Sequence, residues 1–265
     1  MSKFPLFLGP CVLENLELAK TVAGFIKENV DSSYFDLHFK GSFDKANRSS
    51  IDSYRGPGIE EGLRILEQVS KEFELKTITD YHHPDQAEIV AKVVDVLQVP
   101  AFLSRQTDMI VSGAKACKKN NSKLKIKKGQ FLSPEDTLNI VDKATSIIDP
   151  EMVFLTERGT SFGYNALIVD MTSFEIMKSY GVRVIHDATH CLQRPGGLGK
   201  STGGRREFLM PLAKAAIAAG ADGLFLEVHP TPNKALSDST TQLELEKLPN
   251  VLEKLMTLKK CVDSL

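Results

Sequence analysis

The chain has 265 residues, of which 42% are hydrophobic, and a formal net charge of −1. This length and composition predict one domain, residues 1–265, with a sizeable core. The balanced charge argues against a nucleic-acid or membrane-surface partner, and no apolar run approaches the roughly 18 residues needed to span a bilayer. The four cysteines form no CxxC pair. They therefore indicate a reducing, cytoplasmic compartment rather than a disulfide framework.

Taken in chain order, short β-rich apolar runs alternate with stretches of helical periodicity. The predicted strands end at Leu8, Lys40, Asp80, Gln98, Lys127, Thr156, Asp187 and Glu227. The predicted helices include Leu16–Lys27, Gly62–Phe73, Thr137–Ile147 and Phe208–Ala219. Eight such alternations predict an α/β fold, a single-domain (β/α)8 TIM barrel. In that fold the residues just past the strand ends converge on one rim.

Cations and hydroxyl groups are dense in the loop that follows the second predicted strand. This loop carries Lys40, Lys45, Asn47, Arg48 and Ser49. Such donors suit phosphate and carboxylate oxygens, although a solvated basic loop is the simpler alternative. Further cations follow the fifth and sixth strands, namely Lys127, Lys128 and Arg158. At least four cations would then face one pocket, which predicts a ligand with more than one anionic group.

Four loop-like stretches are predicted, at residues 41–57, 118–123, 192–206 and 229–241. The glycine-rich segment 194–206 lacks the spacing of a phosphate-binding P-loop. It is more typical of a mobile lid or of a helix N-terminus that receives a phosphate.

A mixed set of potential metal ligands follows strands one, seven and eight: Cys11, His190, Glu227 and Asp238. Each residue alone is more often structural than a ligand. Together a thiolate, an imidazole and two carboxylates suit a borderline divalent cation, without a choice among Zn, Fe and Mn. Further ionisable groups are predicted near the rim, where they would be partners of the ligands or proton carriers. They are Asp80, His82, His83 and Asp187.

With these loops assembled, the chain resembles 3-deoxy-D-manno-octulosonate 8-phosphate (KDO 8-phosphate) synthases over nearly its whole length. The most specific blocks are residues 42–50 (SFDKANRSS), 100–108 (PAFLSRQTD), 156–159 (TERG) with 162–164 (FGY), and 187–190 (DATH). The first block separates this family from the related 3-deoxy-heptulosonate 7-phosphate synthases, which carry a different basic loop for a shorter sugar.

The resemblance implies condensation of phosphoenolpyruvate with D-arabinose 5-phosphate and water, with release of phosphate. By resemblance, Lys40 and Lys45 hold the carboxylate of phosphoenolpyruvate, and Lys127 and Arg158 hold its phosphate. The residues that line the same pocket would be Gln98, Ala101 and Arg105, and those that receive arabinose 5-phosphate would be Asn47, Arg48 and Ser49. The expected catalytic set is Lys40, Lys45, Asp80, His190 and Cys11. In the family, the arginine at the position of Arg105 lies near a subunit boundary. The resemblance therefore implies a homotetramer.

The resemblance also implies dependence on a divalent metal, because metal-free members have Asn where this chain has Cys11 after Gly-Pro. Two departures from the family pattern are His83, where Glu is usual, and a longer, more basic segment Lys118–Leu124. Three alternatives stay open: the same barrel using erythrose 4-phosphate, an imine-forming aldolase using Lys40 or Lys127, and a non-catalytic sugar-phosphate sensor.

Overall fold

Eight parallel strands form a closed barrel in the computed structural model, which describes residues 3–48, 50–194 and 203–265. The strands are β1 (Phe4–Gly9), β2 (Phe35–Lys40), β3 (Lys76–Asp80), β4 (Val96–Val99), β5 (Lys123–Lys127), β6 (Val153–Glu157), β7 (Arg183–Asp187) and β8 (Gly223–His229). Each strand pairs with the next, and β1 pairs with β8 to close the ring, with Leu6 opposite Leu224. The predicted (β/α)8 barrel is confirmed.

Helices follow the strands and cover the outside of the barrel. They are α1 (Leu16–Asn29), α2 (Ile59–Phe73), α3 (Gln86–Ala91), α4 (Thr107–Asn120), α5 (Leu138–Thr145), α6 (Ser173–Lys178), α7 (Leu209–Ala218) and α8 (Leu248–Val262). The first shows why they form: the Asn15 side chain caps α1 by accepting from the Leu18 amide at 2.8 Å, and apolar residues recur at helical spacing on its buried face. None of the described helices is long and apolar enough to cross a membrane.

Two cores result from the alternation of side chains along each strand. Inside the barrel lies a small, fully buried plug of Phe7, Ile78, Val96, Phe154, Ile185 and Phe225. The larger core lies between the strands and the helices. Short strands at the rim add two antiparallel pairs, Thr160–Ser161 with Leu167–Ile168 and Gln193–Arg194 with Gly203–Gly204.

One prediction about the loops is wrong. Residues 118–123 are not a loop, because α4 continues to Asn120 and β5 begins at Lys123. Asn121 ends the helix in the left-handed conformation (φ 55°), and its amide donates to the Cys117 carbonyl. The cluster of lysines there is therefore the last, solvent-facing turn of a helix, where cations favour the helix dipole.

Candidate active site

The metal-ligand candidates converge at the carboxyl ends of the strands. Cys11 follows the end of β1 at Gly9, which has a positive φ of 154° and where a Cβ atom would lie 2.0 Å from the Lys40 carbonyl oxygen. Only glycine allows this close approach of β1 to β2. The buried Cys11 side chain lies at the rim, where its Sγ is 3.2 Å from Oδ2 of Asp238, 227 residues away in the chain.

Cys11, His190, Glu227 and Asp238 each offer one ligand atom, and these atoms lie within 4.8 Å of one another. Nε2 of His190 is 3.5 Å from Oε1 of Glu227 and 3.6 Å from Oδ2 of Asp238. Asp238 adopts a positive φ of 47°, a conformation that is unfavourable for a residue with a side chain. The backbone there is held in a strained form that directs the carboxylate to the cluster.

Asp187 orients the imidazole of this cluster. Its Oδ2 lies 2.9 Å from Nδ1 of His190 and 2.8 Å from Nζ of Lys127. Burial alone would raise the pKa of Asp187, but His190 and Lys127 lower it well below its ordinary value. An ionised Asp187 accepts from Nδ1 and so leaves the lone pair of Nε2 free on the side of the other three residues, an arrangement common around metal-binding histidines.

The donor set fits a divalent cation. Oε2 of Glu227 is buried without a hydrogen-bond partner, whereas its Oε1 forms an ion pair with Nζ of Lys40 at 2.7 Å. Burial opposes ionisation of Glu227, but His190 and the nearby lysines lower its pKa to about 2. Burial, together with the carboxylates of Asp238 and Glu227, raises the pKa of the Cys11 thiol. A bound cation would replace the thiol proton and supply the missing partner of Glu227.

A second hydrogen-bonded group lies beside the first, centred on Asp80. Its Oδ2 accepts from Oγ of Ser42 and its Oδ1 from Nε2 of Gln98, while Nζ of Lys45 donates to Oγ of Ser42 at 3.0 Å. Burial would raise the pKa of Asp80, but Lys45 and Lys40 lead the charges that lower it. Asp80 is therefore an ionised acceptor, and Lys45 is held with its ammonium directed to the same pocket.

Arginines connect the outer loops to the ligand cluster. Arg48 donates to Oγ of Ser237 at 2.8 Å and to the Leu236 carbonyl at 2.9 Å, immediately before Asp238. The buried Arg158 donates to Oε1 of Gln193 at 2.6 Å, and Gln193 in turn donates to Oδ2 of Asp238 at 3.1 Å. Nη1 of Arg158 is buried without a partner, as expected of a donor that awaits an anion.

The remaining predicted residues occupy different environments. Gln98 and Ala101 are buried at the end of β4, whereas Asn47 and Arg105 are exposed. Two parts of the predicted site lie outside the described residues. They are Ser49 and most of the glycine-rich segment, residues 195–202. His83 is exposed and 3.4 Å from Asp85.

Sequence reasoning did not single out Ser237 and Gln242, which touch the ligand cluster. Ser237 accepts from Sγ of Cys11 at 3.1 Å, and Gln242 accepts from the Cys11 amide at 3.3 Å. Their polar side chains lie in or beside a loop in which many residues are polar, so no local signal separates them from their neighbours. Both contacts span more than 220 residues and arise only when the barrel closes.

Comparison with known proteins shows the family to which the chain belongs. The sequence model of the DAHP synthetase I family matches residues 2–264. The chain belongs to this family. A curated relative from Xanthomonas campestris pv. campestris is 50% identical over 256 residues, which cover 96% of this chain and 91% of the relative. Another, from Fusobacterium nucleatum, is 48% identical over 260 residues, or 98% and 92% of the two chains.

Both relatives carry the name 2-dehydro-3-deoxyphosphooctonate aldolase, a synonym of KDO 8-phosphate synthase. A third so named, from Trichlorobacter lovleyi, is 48% identical over 257 residues, covering 97% of this chain and 93% of the relative. The resemblance inferred from the sequence blocks is therefore confirmed.

Proposed function

We propose that the protein condenses phosphoenolpyruvate with D-arabinose 5-phosphate and water to give 3-deoxy-D-manno-octulosonate 8-phosphate and inorganic phosphate, a step of lipopolysaccharide (KDO) biosynthesis. The observation that carries the proposal is a rim with two groups of cations, one around Lys127 and Arg158 and one around Arg48, beside the cluster of four metal-ligand candidates. Two phosphorylated substrates require this number of donors. The relatives' name favours this acceptor over erythrose 4-phosphate.

Phosphoenolpyruvate would lie over the ends of β4, β5 and β6. Lys127 and the unpartnered Nη1 of Arg158 would bind its phosphate. Lys45, with Lys40 beneath it, would bind its carboxylate. The other residues that would line this pocket are Gln98, Ala101 and Arg105. Lys40, Lys127 and Arg158 are buried, which strengthens their interaction with an anion relative to the same contact in water.

Arabinose 5-phosphate would be held by the β2 loop through Asn47, Arg48 and Ser49. Arg48 offers a planar guanidinium suited to two phosphate oxygens. Its present contacts with Ser237 and the Leu236 carbonyl place it beside the loop that carries Asp238. The sugar aldehyde would then lie between this loop and phosphoenolpyruvate.

In the reaction, C3 of phosphoenolpyruvate bonds to the aldehyde carbon, water adds at C2, and the C2–O bond to phosphate breaks. Lys127 and Arg158 would neutralise the departing phosphate, and Lys45 would steady the carboxylate as charge develops at C2. Asp80 would act as an ionised acceptor that fixes Ser42 and Gln98. The two clamped phosphates would hold the reacting carbons in line, which is an orientation effect.

Cys11, His190, Glu227 and Asp238 would hold one divalent ion, either Fe, Zn or Mn. When bound, such an ion supplies Lewis-acid polarisation and orientation of oxygen ligands. Asp187 would keep His190 in the ligand tautomer. Cys11 would serve as a ligand and not as a covalent nucleophile.

We place this activity in the cytoplasm, where a reducing environment keeps the four cysteines free. We also propose a homotetramer in which a neighbouring subunit covers the exposed Arg105. Light scattering on the purified protein tests this assembly; a monomer at micromolar concentration that retains full activity would contradict it.

The deciding experiment measures phosphate release from phosphoenolpyruvate with arabinose 5-phosphate or erythrose 4-phosphate as acceptor. Chelator-stripped protein is compared with the same sample after Mn²⁺, Zn²⁺ or Fe²⁺ is restored, and the bound metal is quantified by elemental analysis. We expect turnover with arabinose 5-phosphate that is lost on stripping and regained on restoration. A Cys11→Ser variant should retain less metal, whereas Cys261→Ser, which alters an exposed cysteine, should not.

The alternatives give different results. Faster turnover with erythrose 4-phosphate would favour the alternative in which the same barrel uses this shorter sugar. Borohydride trapping of a substrate adduct would favour an imine-forming aldolase, and binding without turnover would favour a sensor. Full activity in protein shown to be metal-free would remove the metal from the proposal and leave the synthase.

A further inference from the structure

Three lysines point into the barrel from alternate positions of β5. Lys123, Lys125 and Lys127 lie on one face of the strand because side chains alternate along it. Nζ of Lys123 lies 5.2 Å from the ring centre of Phe154, and Nζ of Lys127 lies 4.0 Å from that of Phe225. Lys127 belongs to the phosphate clamp proposed above. Lys125, between the two, has no role in that proposal.

Lys125 is fully buried above the apolar plug of the barrel. Its Nζ lies 5.1 Å from the ring centre of Phe7 and 4.7 Å from that of Phe225. Among the described residues, no carboxylate lies within ion-pair distance of it. Burial, together with the charge of Lys127, lowers the pKa of Lys125 well below its ordinary value.

This placement is costly. Burying an amine that carries charge costs several kcal/mol, and contact with aromatic rings returns about 2 kcal/mol when desolvated. An apolar side chain of similar length would fill the same space without that cost. Residues that lower stability at a position where an apolar side chain would fit are concentrated at functional sites.

The hydrogen bonds of Lys125 indicate what it does. Nζ donates to Oε1 of Gln98 at 2.9 Å, and Nε2 of Gln98 donates to Asp80. Asp80 accepts from Ser42, whose Oγ also accepts from Lys45 at 3.0 Å. A continuous chain of hydrogen bonds therefore runs from the barrel centre to the substrate-facing lysine.

The direction of this chain depends on the Gln98 amide. The oxygen and nitrogen ends of an amide have nearly the same shape, so its orientation is set by its partners. Lys125 donates and therefore meets the oxygen, which leaves the NH2 group to face Asp80. Without Lys125, only Asp80 would restrain the amide.

We propose that Lys125 is a positioning residue that fixes the orientation of Gln98, and through Asp80 and Ser42 the position of Lys45, for phosphoenolpyruvate binding. This inference rests on the proposed function, since it assigns the Gln98 side of the pocket to phosphoenolpyruvate. Lys125 does not touch the substrate. It acts through the amide of its neighbour on β4.

The test compares Lys125→Met, Gln98→Ala and the double variant in steady-state turnover, with separate titration of the two substrates. Lys123→Met is the matched control, because it removes the same charge from the same face of β5 farther from the rim. We expect Lys125→Met to raise KM for phosphoenolpyruvate roughly tenfold, the effect of about one lost hydrogen bond. KM for arabinose 5-phosphate should change less than about twofold, and the protein should unfold at no lower temperature.

In the Gln98→Ala background, Lys125→Met should cause no further rise in KM for phosphoenolpyruvate, since the effects of residues that act as one unit are not additive. KM for phosphoenolpyruvate in Lys123→Met should stay within about twofold of that of the unaltered protein, because Lys123 lies farther from the rim. Unchanged KM in Lys125→Met, or an undiminished loss in the double variant, would overturn the inference. If Lys125→Met is insoluble, Lys125→Leu replaces it in the same cycle. Absence of turnover in the unaltered protein would instead refute the proposed function and the inference with it.

Discussion

The ion pair between Lys40 and Glu227 offers a quantitative test of how the site is built. Nζ of Lys40 and Oε1 of Glu227 are 2.7 Å apart, and their side chains are 1% and 0% exposed. At this distance the gross attraction is about 6 kcal/mol for an effective dielectric constant near 20. Nearly all of it offsets the cost of removing both charges from water. Solvent screening does not reduce the interaction, because neither group reaches the surface.

Removing one partner of this pair should therefore cost more stability than its share of the loss when both partners are removed. Glu227→Gln leaves the Lys40 ammonium buried without its counter-ion, and removal of one partner of a buried pair costs about 3–5 kcal/mol. For a chain of this size that loss lowers the melting temperature by about 10 °C. Lys40→Met should cost somewhat less, because Lys45 and Lys127 also lower the pKa of Glu227 and remain in this variant. The double variant should be more stable than the sum of the two single losses predicts.

The measurement is urea unfolding of each variant at neutral pH with a chelator present, so that no bound metal contributes. Glu67→Gln is the control, because it breaks an exposed pair with Lys71 of almost the same length, 2.8 Å, and should cost about 0.5 kcal/mol or less. If Glu227→Gln is no more destabilising than this control, or if the single losses add in the double variant, the reasoning about burial is refuted.

Three further outcomes are expected. Arg48→Ala should raise KM for arabinose 5-phosphate roughly tenfold or more by removing a charge-assisted contact to phosphate, with Arg48→Lys intermediate; an unchanged KM contradicts its assignment. Arg158→Lys keeps the charge but loses the planar fork, so KM for phosphoenolpyruvate should rise while that for the sugar stays constant in the same titrations. Burial lowers the pKa of His186 from 6.5 to about 4, so the unfolded chain binds a proton that the folded chain does not. The contribution of His186 to stability should therefore be constant above pH 6.5 and fall by up to about 3 kcal/mol as the pH drops toward 4. His186→Leu should remove this part of the loss in unfolding titrations, and an unchanged pH profile would refute it.

The barrel could be predicted because the strands are short apolar runs, several of which end in a charged residue. Lys40, Asp80, Lys127 and Asp187 mark strand ends in the structure as in the sequence. Since parallel strands of a barrel end at one rim, the order of these residues was enough to place them together. The metal-ligand candidates followed from the same argument.

Other features depend on contacts that no local pattern encodes. The last turn of α4 carries Lys118 and Lys119, so its polar composition indicates a loop although the helix continues to Asn120. Lys125 resembles a surface residue in sequence, and only closure of the barrel shows that it is interior. The link from Arg48 to Ser237 joins positions 189 residues apart.

The separation of Cys11 and Asp238 along the chain has a consequence for biosynthesis. One ligand candidate is synthesised 227 residues before another, and the two meet through pairing of β1 with β8. A nascent chain still emerging from the ribosome has the thiol but lacks the last carboxylate. The complete set of ligand candidates therefore exists only in a finished, closed molecule. If the proposed metal binds, its retention would for this reason report on completion of folding, and a product truncated before residue 238 would lack one of the four ligand candidates.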